Sequence, residues 1–273
     1  MPCDTDAIAI PNEAVRYILL QRTAHLRLTR TPAYKVASCV IPMLYPLVVR
    51  AESRFRRSTV KRLYATDMQA EYDAIRGALP ETCDSVLDIG CGVAGIDAIL
   101  ARHYAPCPVR FYLLDKTHVE RKVFYNFRSR GAFYNSLDVA RDLMACNGVP
   151  AESVCLLSAT DDNAIDVDAP VDLVISLISW GFHYPIATYL ERVTEVLSPR
   201  GCLILDVRKN TGGGDLIRNT FRHVRAIAEN TKSERLVAAQ EAPTLAGQMT
   251  AAPRHAHRST HGTPGRRQTT QQG

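Results

Sequence analysis

The sequence predicts an α/β fold: a doubly wound, mostly parallel sheet of about seven strands, closed by an antiparallel hairpin and preceded by a helical N-terminal extension. Three observations predict it. From Cys83 onward, short runs rich in Val, Ile and Leu alternate with helical stretches, the grammar of stacked βαβ units. The stretch SVLDIGCGVAGIDAIL, Ser85 to Leu100, runs a buried strand into three glycines and then a helix. After Gly212, Gly213 and Gly214 and a short helix from Asp215 to Thr220, Val224, Ala226 and Ala228 alternate with polar residues; the turn-like ENTKSE and a second β-rich run at Leu236 and Val237 follow. That ending predicts a hairpin rather than another crossover unit.

Taken in order, Pro11 to Pro80 reads as mostly helical. In NEAVRYILLQRTAHL, Val15, Ile18, Leu19 and Leu26 recur at helical spacing behind Asn12 as a cap, and DMQAEYDAIRGALP repeats the pattern before Gly, Leu and Pro end it. The apolar run Val36 to Val49 is broken by Pro42 and Pro46 and is shorter than the roughly 20 residues of a membrane-spanning helix, so a buried or interfacial piece is expected and no span. Strands are expected over Ser85–Ile89, Val109–Leu114, Ser153–Leu157, Val171–Leu177 and Cys202–Val207, with helices near Ala94–Tyr104, Ser136–Asn147 and Tyr184–Leu197. Residues 240–273 have no aromatic and little aliphatic content, too little burial to offset ordering entropy, and are expected to be disordered. The expected organisation is therefore a helical extension (1–80), a nucleotide-binding sheet domain (81–239) and a tail (240–273).

Composition constrains function less. The formal charge of +5 over 273 residues neither demands nor excludes an anionic partner. Eight cysteines are scattered with no C-x-x-C pair and no zinc spacing, so no metal site is expected and reduced thiols in a cytoplasmic protein are. The acidic start MPCDTD does not read as an export signal. The run Arg50 to Arg62 is strongly basic against the single acid Glu52, which fits a solvated helix face or contact with an anionic substrate or nucleic acid.

Gly90, Gly92 and Gly95 form G-x-G-x-x-G after a strand and before a helix, where backbone N–H groups and the helix end favour an anionic ligand group. Asp115, some twenty residues on and at the end of the next strand, is placed to accept hydrogen bonds from ribose hydroxyls. These features alone permit a dinucleotide such as NAD. Asp88, two residues before the first glycine, suits a cationic amino-acid ligand and opposes a pyrophosphate.

With Asp88 in place, LDIGCGVAG resembles the first motif of class I S-adenosylmethionine-dependent methyltransferases. YLLDKT resembles their second motif, SATDD the segment after the third strand, VDLVISLISWGFHYP the fourth, and VLSPRGCLILDV the turn into the fifth strand. The likeness spans Ser85 to about Ala239, and the expected hairpin is similar to the family's closing antiparallel strand. The resemblance implies S-adenosyl-L-methionine as cofactor, with Asp88, Gly90 and Gly92 at its methionine part, Gly95 in the same loop, Asp115 at the ribose, and Thr160 with Asp161 at the adenine edge. Helix capping is the other reading of the Thr160 and Asp161 pair.

The Asn/Asp-Pro-Pro-aromatic loop often carried by the family's amine-directed members is absent from SLISWGFHYP, which weakens, without excluding, nucleic-acid base or glutamine methylation; the expected acceptor is an oxygen of a small molecule or sugar. Ser176, Trp180 and Tyr184 are candidates for the acceptor pocket. His183 is the candidate general base, since imidazole titrates near neutrality; capping or packing beside the following helix is its other reading, as core packing is for Trp180. The interval Lys116 to Asn135 carries Phe124, Tyr125, Phe127, Phe133 and Tyr134 among Arg121, Lys122, Arg128 and Arg130, and reads as a lid or an extra edge helix. An NAD-dependent oxidoreductase and an RNA-binding module on the same fold are the competing classes.

Overall fold

The computed structural model describes residues 7–41, 44–116, 118–119 and 134–242, with His118, Val119 and Tyr134 as backbone alone. Within the interval Lys116 to Asn135, read as a lid or an extra edge helix, residues 117 and 120–133 lie outside the described residues, as does the tail from 243.

Four helices precede the sheet: α1 (Ala14–Gln21), α2 (Pro32–Ser38), α3 (Leu44–Phe55) and α4 (Arg57–Ile75). Thr31 starts α2 by accepting from the Tyr34 N–H through its side chain, with Pro32 at the first helical position. The apolar run around Pro42 divides between α2 and α3. Val48 and Val49 face inward, while Val36, Val40, Ile41 and Leu47 stay exposed. No helix among the described residues is long and apolar enough to cross a membrane. Within the basic run, the lone acid Glu52 is buried; it accepts from the backbone N–H groups of Arg27 and Leu28 and pairs with Arg56.

The α/β part then runs β1 (Ser85–Ile89), α5 (Gly95–Tyr104), β2 (Arg110–Asp115), β3 (His118–Val119), β4 (Tyr134–Asn135), α6 (Leu137–Cys146), β5 (Val154–Ser158) and β6 (Val171–Ser176). It ends with α7 (Leu190–Val196), β7 (Leu197–Arg208), α8 (Gly213–Thr220), β8 (His223–Glu229) and β9 (Ser233–Ala239). Seven strands form one sheet in the order β5-β2-β1-β6-β7-β9-β8. All neighbours are parallel except β9, which is antiparallel to both β7 and β8. The predicted α/β class and closing hairpin are therefore present. The order reverses at β1, which has β2 on one side and β6 on the other, and ligands of such sheets bind beyond the strand ends at that reversal.

One element differs. The helix expected over Tyr184–Leu197 is only a 3-10 turn at Ile186–Thr188 and α7, because Pro185 holds an extended φ, ψ of −61°, 145° and Tyr189 leaves helical geometry at φ −123°. β3 and β4 pair antiparallel with each other, His118 opposite Asn135 and Val119 opposite Tyr134.

Strand residues alternate between two cores, as the two-residue period of a strand requires. Val86, Phe111, Leu113, Leu173 and Ile175 face α5, α6 and the N-terminal helices, whose Ile18, Leu19, Val60, Tyr64 and Met68 belong to the same buried cluster. Leu87, Ile89, Leu114, Val174 and Leu205 face Trp180, Tyr189, Val193, Ile217 and Phe221. The N-terminal helices thus share a continuous core with the sheet. A buried ion pair fixes α4 at the strand ends: Arg235 of β9 bonds both Asp206 oxygens at 2.8 Å and Glu71 of α4 at 2.7 Å.

Candidate active site

A cavity of about 470 Å³ opens at the carboxyl ends of β1, β2, β6 and β7, roofed by α1 and α4. Its volume falls in the usual range for small-molecule sites. The sequence folds this way because β1 must turn sharply into α5. Gly90 and Gly92 adopt left-handed φ of +81° and +56°, and Ala94, at φ 61°, does so with a side chain.

The glycines also make room for the protein itself. A Cβ on Gly90 would lie 1.8 Å from Ser179 Oγ, on Gly92 2.8 Å from Gln21 Oε1, and on Gly95 2.4 Å from the Tyr64 hydroxyl. Gln21 and Tyr64 come from α1 and α4, so the N-terminal helices rest directly on the loop.

Three carboxyl groups are buried around it. Asp88 is 3% exposed and Asp97, in the first turn of α5, is fully buried. Both Asp97 oxygens are buried with no hydrogen-bond partner among the described residues. Burial first, then the mutual charge, raises Asp88 well above the carboxylate range; burial raises Asp97 to about 7. Asp115 is raised to about 6 by burial, against the pull of its hydrogen bonds. Its Oδ2 accepts from the Gly92 N–H and from Asn135 Nδ2, both at 3.0 Å, and its Oδ1 from the Lys116 N–H at 2.7 Å.

Asn135 is a residue that sequence reasoning passed over. It is buried, donates to the Gly92 carbonyl as well as to Asp115, and receives Gln21 Nε2 at 3.3 Å. One amide thus joins the glycine loop, the acid after β2 and α1. Its only sequence signal is its place just before α6.

His183 follows β6 in a tight turn, its N–H donating to the Ser179 carbonyl at 2.8 Å. Burial, then the neighbouring positive Arg208, lowers its pKa, so the ring is neutral at pH 7. Arg208, at the end of β7, stacks over Phe182 at 4.9 Å from the ring centre, and its N–H binds the Gly181 carbonyl.

Of the candidate residues, Asp88, Gly90, Gly92, Gly95, Asp115 and His183 line this one cavity. Ser176, Trp180 and Tyr184 are not brought into it. Ser176 is buried between the Ile89 carbonyl and the Trp180 N–H, at 2.7 and 2.9 Å. Trp180 is fully buried with its indole N–H on the Ile186 carbonyl, and Tyr184 packs in the same core. The rings of Trp180 and Tyr184 pack in the core behind the cavity. Thr160 and Asp161 stand exposed outside the lining, past the end of β5, which pairs with β2. Asp161 lies 3.7 Å from the Lys116 ammonium. Among the described residues no group of His, Cys, Asp and Glu is placed to hold a metal ion.

No protein-family model matches the chain, and no curated protein sequence does. Solved structures are similar at the level of the fold. Precorrin-6y C5,15-methyltransferase from Geobacter metallireducens GS-15 aligns with a TM-score of 0.45 and 15% identity, over 63% of this chain and 87% of that one. The ribosomal protein L11 methylase from Lactobacillus delbrueckii subsp. bulgaricus aligns with a TM-score of 0.45 and 15% identity, over 65% and 80%. The 16S rRNA N2 G1207 methyltransferase of T. thermophilus, solved with AdoMet and guanosine, aligns at 0.43 and 13%, over 65% and 42%.

Proposed function

We propose that the protein is an S-adenosylmethionine-dependent methyltransferase that methylates an oxygen of a small-molecule or sugar acceptor. The observation that carries the reading is the trio Asp88, Asp97 and Asp115, buried around a glycine loop at the reversal of the sheet. Such a site repels a pyrophosphate and suits a ligand with a cationic amino-acid end and a ribose. The residues fit that cofactor: Asp88 would hold its methionine part beside the Gly90 and Gly92 backbone, and Asp115 its ribose. Thr160 and Asp161, beyond the β5 end, would border the adenine.

Bound there, the cofactor would supply a methyl group activated on a sulfonium, for an acceptor oxygen to take. The chain's own work is alignment and proton removal. A nitrogen of the neutral His183 ring takes the hydroxyl proton as the oxygen attacks. Gln21 and Tyr64 close the loop side and exclude water. The free cysteines among the described residues agree with a reducing, cytoplasmic setting.

Calorimetry tests the reading with S-adenosylhomocysteine and NAD in parallel. Saturable binding of the homocysteine compound with no NAD response is expected. Saturable NAD binding with no response to the homocysteine compound overturns the assignment, and labelled S-adenosylmethionine incubated with cell extract then identifies the acceptor by the mass of its product.

A further inference from the structure

The cavity has two electrostatic ends, and their order follows the sheet. Asp115 ends β2 and Asp88 lies on β1, so the acids sit on the β2–β1 side of the reversal. His183 follows β6, Arg208 ends β7, and Lys232 immediately precedes β9, so the cations sit on the other side. At the usual spacing of about 4.8 Å between strands, Asp115 and Arg208 are some 14 Å apart along the edge.

The remaining charges near the roof are matched. Arg22 pairs with Asp67 and Glu71, and Arg235 pairs with Glu71 and Asp206. Lys209, next to Arg208, pairs with Glu229. Arg208 and Lys232 have no carboxylate within ion-pair distance among the described residues, although both line the cavity. Arg208 Nε is buried with no hydrogen-bond partner. Its guanidinium is held against Phe182 rather than by an acid, and its backbone is tied to Gly181. Lys232 is exposed at the cavity mouth, and its carbonyl accepts from the Lys209 N–H at 2.9 Å, which keeps the hairpin turn beside Arg208. A buried guanidinium nitrogen without a partner costs free energy that a ligand can recover. His183 stands beside this positive end, and a negative group held there would offset the effect of Arg208 and make the ring a stronger base.

We infer that the acceptor is a hydroxyl compound carrying an oxyanion, a carboxylate or a phosphate, which Arg208 and Lys232 bind so that the hydroxyl faces His183. This rests on the methyltransferase reading for the hydroxyl's fate, though not for the anion site itself. A planar guanidinium suits either oxyanion through paired N–H donors, and the lysine adds a mobile point charge at the entrance.

The test uses the full chain saturated with S-adenosylhomocysteine, titrated calorimetrically at constant ionic strength with glucose, glucuronate and glucose 6-phosphate. Glucuronate or glucose 6-phosphate should bind saturably where glucose at the same concentration does not, and which of the two binds distinguishes carboxylate from phosphate. Arg208→Met should weaken that binding about tenfold or more, the loss expected for a charge-assisted bond. Lys232→Glu, at an exposed turn position where folding is not at stake, should weaken it in the same direction. The inference is overturned if glucose binds as well as the anionic sugars, if no anionic sugar binds, or if Lys232→Glu leaves the affinity unchanged. The initial saturation step reads separately: a chain that fails to bind S-adenosylhomocysteine but still binds an anionic sugar through Arg208 and Lys232 removes the methyl-donor reading and keeps the anion site.

Discussion

Burial raises the pKa values of Asp88 and Asp97, and that has a measurable sign. The buried pair keeps a proton that the unfolded chain, with carboxyls near about 3.9, gives up at lower pH. Its destabilising effect is absent below that value and grows as pH rises towards the folded value of about 7 for Asp97. The melting temperature of the ligand-free protein should therefore fall between pH 4 and 7 by this contribution, and Asp97→Asn should flatten the fall in a pH series of thermal scans. Asp88→Ala and Asp115→Ala should each abolish binding of S-adenosylhomocysteine in calorimetry. His183→Ala should spare that binding and slow transfer by about 10²- to 10⁴-fold, the usual worth of a general base. With wild-type protein, kcat should rise with pH through a midpoint below the ordinary imidazole value, since burial and Arg208 lower it. Normal turnover by the His183 variant would remove it as the base. Gly90→Ala should unfold the loop locally or lose activity outright, because its Cβ would overlap Ser179 at a positive φ.

At the level of elements, what could be read from the sequence is what is local. The strand–glycine–helix passage, the acid after β2 and the closing hairpin each lie within a few consecutive residues, so period and turn chemistry reveal them. The break of the helix after Pro185 was also local, but the helical spacing of Leu190, Val193 and Leu197 masked it. Other parts of the site were not legible, because Gln21, Tyr64, Asn135, Arg208 and Lys232 meet only through tertiary packing. Nothing in NEAVRYILLQ tells that its last residue rests on a glycine loop more than sixty positions away. The same packing makes a prediction for α4. Arg235→Met leaves Asp206 buried without its cation and should cost about 3–5 kcal/mol in urea unfolding. Glu71→Gln keeps the Arg235–Asp206 pair and should cost distinctly less.

For the whole molecule, a shared core decides what can be separated. Ile18, Leu19, Val60, Tyr64 and Met68 are buried in the same cluster as strand residues Val86 and Leu173. A chain lacking residues 1–80 should consequently expose that face of the sheet and fail to give a folded, cofactor-binding species, as judged by near-ultraviolet circular dichroism and gel filtration. A truncated chain that remains monomeric and binds S-adenosylhomocysteine would show the extension to be dispensable to the fold.

The Glu71–Arg235 contact joins residues 164 positions apart, and that separation is also an interval of time. At usual synthesis rates of 5 to 20 residues per second, about 10 to 30 s pass between the appearance of α4 and that of the arginine that anchors it. Until β9 is made, Glu71 and Asp206 lack the arginine that joins them. During that interval α4 lacks its tie to the sheet, so the roof of the cavity is fixed only once Arg235 has been made.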